Sequence, residues 1–153
     1  MELCISYYNM YTMRNALIVE DFKIIANMWE TLLLEEGFTH IFISYNSDDI
    51  EQFIQQNQTE IILMDINIPS SKNGISLTES LLSIQKDLKI IMLTIHNDPS
   101  IIKKSFEAGA KAFITKNSGI KEIKKAIKLV QSGKRYLCEE SLIYAELVQN
   151  YLN

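Results

Sequence analysis

The chain is poor in the residues that build fibrous, disordered or disulfide-stapled proteins. Two prolines and five glycines in 153 residues exclude collagen-like and low-complexity classes. The two cysteines, Cys4 and Cys138, stand far apart in unpatterned surroundings. They are too few for a disulfide framework or a metal knuckle, and both read as free thiols. No apolar run approaches the roughly 18 residues of a membrane span. Met1 to Asn15 lack both a basic start and a continuous apolar core, so no signal peptide is expected and a cytoplasmic address follows. A dense Lys/Arg patch is missing too. At a net charge of −4 the chain is a poor nucleic-acid binder by itself, because affinity for phosphate backbones comes from clustered cations.

What is present describes one globular domain. Hydrophobic residues make up 47% of the chain and charged residues 22%, enough for a core that buries roughly two-thirds of the unfolded surface. The charge is unevenly divided. Residues 1–76 hold eleven acids and three bases, whereas 77–153 hold eight acids and twelve bases; solvated helix faces account for most of them.

Residues 1–14 show no usable period and read as an N-terminal extension outside the fold. Ala16 to Val19 form the first strand, which runs into Glu20-Asp21. Asp21 can cap, or sit beside the cap of, a helix whose apolar stripe is Phe22, Ile25, Met28, Trp29, Leu32 and Leu33 and which stops at Gly37. Trp29 on that stripe reads as core. A second strand spans His40 to Tyr45, and Ser47-Asp48-Asp49 start a second helix running to about Asn57. Asp48 and Asp49 are acids matched to a helix dipole more simply than a metal pair. Ile61 to Met64 are four apolar residues in a row, the mark of a strand buried on both faces, and Asp65 arrives where that strand ends. Asn67, Pro69 and Asn73-Gly74 are loop residues. Ile75 to Gln85 is helical by pattern, and Leu88 to Ile95 is a fourth strand with Thr94 as its polar tip. Asp98-Pro99 opens a helix that ends at Gly109. Lys111 to Lys116 is a fifth strand, and Ser118 caps a helix with Ile120, Ile123, Ile127 and Val130 on one stripe, ended by Gly133. Residues 136–153 read as a C-terminal helix, Ser141 to Leu152, or as the start of a linker.

Five strands alternating with five helices give a parallel α/β sheet covered on both faces. The carboxyl ends of such strands share one edge, where ligands bind. Glu20, Asp21, Asp65, Thr94 and Lys116 therefore meet there. Three crowded carboxylates repel one another unless a cation compensates, and Mg²⁺ suits an all-oxygen set that leaves room for a phosphate oxygen. Beside Mg²⁺ and Lys116, Asp65 is placed to attack a phosphoryl group in line, and Thr94 to bond the product.

The runs Leu17-Ile18-Val19-Glu20-Asp21, Leu63-Met64-Asp65-Ile66-Asn67-Ile68-Pro69, Met92-Leu93-Thr94 and Gly109-Ala110-Lys111-Ala112-Phe113-Ile114-Thr115-Lys116 resemble, in this order, the receiver domain of two-component response regulators. The resemblance covers about residues 15–135. It implies a flavodoxin-like three-layer αβα sandwich with a five-stranded sheet of order 2-1-3-4-5. It implies further that Asp65 is the phosphoacceptor and that Glu20, Asp21, Asp65 and the Asn67 backbone carbonyl hold Mg²⁺. Thr94 is then the switch hydroxyl, Phe113 the switch aromatic that turns inward, and Lys116 the phosphoryl-binding lysine.

Two departures stand out. The loop from Asp65 to Gly74 is one residue longer than usual, and Asn117 follows Lys116 where many receivers have proline. Lys116-Asn117-Ser118 and Ser132 to Leu137 look like the receivers of LuxR-type regulators. That likeness implies a sensor histidine kinase as phosphodonor and a phosphorylation-dependent homodimer. Lys103, Lys104, Lys121, Lys125 and Lys128 would pair with acids of the second copy, unless they are ordinary solvated charges. It also implies DNA contact only through an effector domain absent from this chain, and no membrane; the alternative is a stand-alone receiver acting through protein contacts. A phosphatase with an aspartyl-phosphate intermediate would need an acid where Asn67 stands. A flavin domain would need a Ser/Thr/Gly-rich loop where Glu20-Asp21-Phe22-Lys23 stand. His96 is either a tuner of water access to the phosphoryl or an exposed loop histidine.

Overall fold

The strands form where β-branched and other apolar residues run without interruption, because a parallel strand buried on both faces needs no polar alternation. In the computed structural model, which describes residues 13–153, they are β1 (Asn15–Val19), β2 (His40–Ser44), β3 (Ile61–Asp65), β4 (Lys89–Thr94), β5 (Ala112–Thr115) and β6 (Tyr136–Leu137). All pairings are parallel, in the order β2-β1-β3-β4-β5-β6. The expected 2-1-3-4-5 core is present. A sixth strand, not expected, extends it: Tyr136 pairs with Ala112 and Leu137 with Phe113. Two residues are too short a run to leave a period in the sequence.

The helices are α1 (Lys23–Glu35), α2 (Ile50–Gln56), α3 (Gly74–Ile84), α4 (Pro99–Glu107), α5 (Ile120–Gln131) and α6 (Gln149–Leu152). Side chains alternate across the sheet with period two, so β1, β3, β4 and β5 each feed two cores. Leu17, Met64, Met92 and Phe113 pack with Leu77, Leu81 and Phe106 on one face. Ile18, Leu63, Leu93 and Ile114 pack with Trp29, Leu33, Ile123 and Ile127 on the other. Each such large side chain, fully buried, contributes about 1.5–3 kcal/mol.

Several local expectations are corrected. Of the two places open to Asp21, the cap of α1 falls away and the place beside it stands: Phe22 occupies the cap without a side-chain hydrogen bond, and the Glu20 carboxylate accepts its N–H. The α1 stripe is narrower than its period: Trp29, Leu32 and Leu33 are buried, but Phe22 is 63% and Met28 41% exposed. Ser47 and Asp48 do not cap α2, whose first turn is entered through Asp49 in left-handed conformation (φ 59°). Ser118 does not cap α5. It ends a short 3-10 turn, Lys116–Ser118, and Gly119 at φ 86° makes the entry, a conformation in which a side chain would be strained. The caps of α3 and α4 follow the chemistry of their residues: Asn73 accepts from the Ile75 and Ser76 N–H groups and Asp98 from those of Ser100 and Ile101.

Ser141 to Leu152 is not one helix. A 3-10 segment, Glu139–Val148, precedes α6, because the apolar residues do not share one α-helical face: Leu142, Ile143 and Leu147 point to solvent while Val148 is buried. This stretch folds back over α4 and β5, and Tyr151 stacks on Phe106 with ring centroids 6.4 Å apart. Of the expected extension at 1–14, residues 1–12 lie outside the described residues, Cys4 among them. Arg14 is tied down by its bonds to Thr39 and Glu60, and Cys138 is a buried free thiol. Among the described residues no helix is long and apolar enough to cross a membrane.

Candidate functional site

The register brings the polar tips together. Val19 lies level with Met64, so the next residues, Glu20 and Asp65, come side by side; Asp65 lies level with Leu93, and Thr94, one step on, lies level with Thr115, which Lys116 follows. Glu20 is fully buried and Asp65 only 4% exposed. Carboxylate oxygens of Glu20, Asp21 and Asp65 all lie within 4.8 Å of one another. Lys116 reaches across from β5: its Nζ is 2.6 Å from Glu20 Oε2 and 2.8 Å from Asp65 Oδ2. The other oxygen of each of these two acids accepts a backbone N–H, Phe22 at 3.0 Å for Glu20 and Asn67 at 3.1 Å for Asp65.

One oxygen breaks this pattern. Asp21 Oδ1 is buried and has no hydrogen-bond partner. A buried carboxylate oxygen left unsatisfied is costly, and a hard cation accepting it together with one oxygen each from Glu20 and Asp65 removes that cost. The donor set is all oxygen and fits a divalent ion. Electrostatics agree: burial pushes the Glu20 carboxyl above its ordinary value, against the opposing pull of Lys116 and the Phe22 N–H, and the Asp65 charge adds to the rise. Desolvation works to lower Lys116, but its bonds to Asp65 and Glu20 and their charges outweigh it, so the ammonium is held above its usual range.

Thr94 is buried at the end of β4, and its hydroxyl oxygen accepts from the His96 N–H at 3.2 Å. Phe113 is already fully buried in the core that contains Leu137 and Val148, so the inward turn expected of it has no outward starting point here; the C-terminal residues cover it. The lengthened loop after Asp65 is held in place. Ile66 and Ile68 insert into the core, Ser70 Oγ accepts from the Ser47 N–H at 2.9 Å, and Lys72 Nζ lies 2.5 Å from Glu51 of α2.

Two contributors escaped sequence reading. The Trp29 ring, in the core as expected, also lies 5.4 Å from Lys116 Nζ, close enough for a cation–π contact. Gly74 abuts the backbone of the phosphoacceptor candidate: a Cβ there would collide with the Asp65 carbonyl and come within 2.9 Å of Ile66 Cα. The Asn-Gly pair signalled only a turn. The closeness of its glycine to Asp65 has no signature in sequence.

The chain is similar to known proteins over most of its length. The chain is 28% identical over 129 residues to the response regulator UvrY of Escherichia coli K12, spanning 84% of this chain and 59% of that protein. It is 31% identical over 134 residues to the transcriptional regulatory protein DesR of Bacillus subtilis, spanning 84% of this chain and 65% of DesR. The chain thus spans about three-fifths of the length of the first of these. Among solved structures, a LuxR-family two-component response regulator from Aurantimonas superposes with a TM-score of 0.80 at 21% identity, covering 93% of this chain and all of that one. The isolated receiver domain of Salmonella enterica RcsB superposes at 0.79 and 20% identity, covering 86% of this chain and 97% of its own. Residues 16–128 match the family model of the response regulator receiver domain, and the chain belongs to that family.

Proposed function

We propose that Asp65 accepts a phosphoryl group from a sensor histidine kinase or a small phosphodonor. The observation that carries the reading is Lys116 bridging Glu20 and Asp65 while Asp21 Oδ1 stands buried and unpartnered beside them. A carboxylate oxygen of Asp65 attacks phosphorus, the bond from phosphorus to the donor atom breaks, and the donor leaves with that electron pair. Lys116 exchanges part of its contact with Asp65 for a phosphoryl oxygen. Thr94, whose oxygen only accepts in its bond with His96, donates its own proton to another. Glu20, Asp21, Asp65 and the Asn67 carbonyl would hold Mg²⁺, which supplies positive charge beside the transferring oxygens.

The result is a doubly charged group at a sheet edge that now favours a different position of the turn after Thr94. The surface that follows is that of α4, β5 and α5. Two relatives are named transcriptional regulatory proteins; the output proposed for this chain is a LuxR-type DNA-binding domain, reached through a phosphorylation-dependent homodimer. Residues 15–135 are the receiver, and 136–153 lead toward that domain. The test is incubation with acetyl phosphate and Mg²⁺, read by intact mass. Wild type gains one phosphoryl; Asp65→Asn gains none, and undiminished labelling of that variant overturns the assignment.

A further inference from the structure

The segment after α5 grips both turns that carry the switch residues. Cys138, fully buried at its bend, donates its N–H to the Phe113 carbonyl and accepts the Thr115 N–H on sulfur at 3.5 Å. Glu140 reaches the β5–α5 turn. Its carboxylate accepts from the Thr115 hydroxyl and, at 3.5 Å, from Ser118; these two hydroxyls are 2.6 Å apart and flank Lys116 in sequence. Ser141 reaches the β4–α4 turn. Its buried hydroxyl donates to Asn97 Oδ1 at 2.7 Å, and Asn97 Nδ2 donates to the Glu140 carbonyl at 3.2 Å. Asn97 is the residue after His96, whose N–H donates to Thr94. Beyond this corner, Val148 is buried in the core that holds Phe113, and Tyr151 stacks on Phe106 of α4.

We propose that residues 138–152 form a strap whose corner residues, Glu140 and Ser141, hold the Lys116 and Thr94 turns in their unphosphorylated positions, so that strap docking and phosphorylation of Asp65 oppose one another. The inference rests on the phosphoacceptor reading. Lys116 lies in a three-residue 3-10 turn, outside any strand or helix ladder, and such a turn has few ties of its own. Glu140 supplies two. For Thr94 to reach a phosphoryl on Asp65 its hydroxyl must move toward Asp65, and because its oxygen accepts the His96 N–H, that movement carries the turn with it and draws Asn97 away from Ser141. Coupling of this kind is reciprocal: the factor by which phosphorylation weakens the strap is the factor by which loosening the strap favours phosphorylation. Glu140 and Ser141 are positioning residues, since neither touches the acids of the site.

The full chain is examined by hydrogen exchange with and without Mg²⁺ and beryllofluoride, a phosphoryl mimic. In wild type the mimic speeds exchange of the amides of 139–152 by about five-fold or more, the lower end of usual coupling factors. Glu140→Ala and Ser141→Ala bind the mimic tighter by a factor of the same order. Ile143→Ser, on the exposed side of the strap, leaves that affinity at the wild-type value. Unchanged strap exchange while the mimic binds at Asp65 overturns the proposal, as does unchanged affinity in both corner variants. An equal shift in Ile143→Ser overturns the assignment to the corner. If the mimic fails to bind, or binds Asp65→Asn as well as wild type, the phosphoacceptor reading falls first and takes the strap with it.

Discussion

Ion pairs close both edges of the sheet, and they differ in balance. Where the strands begin, Arg14 sets its guanidinium fork on Glu60 at 2.9 and 3.1 Å, gives another N–H to the Glu36 carbonyl and lies over the Phe38 ring. One cation meets one anion, with the Glu36 carbonyl taking a third N–H. Where the strands end, one ammonium meets two buried carboxylates with a third beside them, one oxygen of which has no partner. A structural ion pair is self-sufficient. A surplus of buried like charge is what a bound cation would relieve, and so the imbalance, not the presence of charge, singles out this edge as the candidate site.

Removing the cation from each edge tests this most severely. Lys116→Met leaves three carboxylates facing one another and costs about 3 kcal/mol in urea unfolding without divalent ions, the lower end for a broken buried pair. Arg14→Met, at a partly exposed pair, costs about 1 kcal/mol. Equal costs would erase the contrast. The pH dependence separates them further. Glu20 has its folded value raised above the ordinary 4.5, so the folded chain holds that proton more tightly than the unfolded one. Its contribution to stability is complete below the unfolded value and is lost as pH rises through the folded one. Lys116→Met removes an influence that lowers Glu20, so it steepens this loss and carries it to higher pH; Arg14→Met leaves its position unchanged. Urea midpoints across mildly acidic to neutral pH in chelator read it out.

Adding a cation is the converse. Mg²⁺ at a hundredfold excess over its dissociation constant stabilises wild type by about 2.7 kcal/mol. Asp21→Asn forfeits most of that gain, whereas Glu60→Gln at the other edge keeps it all. A gain undiminished in Asp21→Asn places the ion elsewhere.

The sheet and its acidic tips were legible because each rests on a local signal of sufficient length. Ile61 to Met64 cannot be half-exposed, and parallel register then places Glu20 beside Asp65 with no further information. What stayed hidden depends on neighbours in space. The contact of Trp29 with Lys116 follows from how α1 lies beside the β5–α5 turn, and β6 is two residues long. Phe22 and Met28 obey the helical period and are still exposed, because the period names a stripe and not the width of what covers it. Asp21 and Ser118 have the chemistry of caps, but at Ser118 the chain's direction is set by a positive-φ glycine and the hydroxyl is bound to Thr115.

The loop beside Asp65 sharpens the comparison at smaller cost. Gly74→Ala drives a methyl against the Asp65 carbonyl, and with backbone as the obstacle it costs about 2 kcal/mol, as overpacking does. It also displaces Asp65, so labelling by acetyl phosphate slows. Asn73→Ala, one residue earlier, removes a cap that accepts two N–H bonds and costs about 1 kcal/mol. Its side chain bonds only the first turn of α3, so labelling proceeds at the wild-type rate once the protein is folded. Two adjacent residues at the functional edge are thereby separated into one that shapes the carboxylate's position and one that only starts a helix. If Asn73→Ala slowed labelling as much as Gly74→Ala, nearness to the edge would suffice to explain both, and the surplus of charge would lose its standing as the mark of the site.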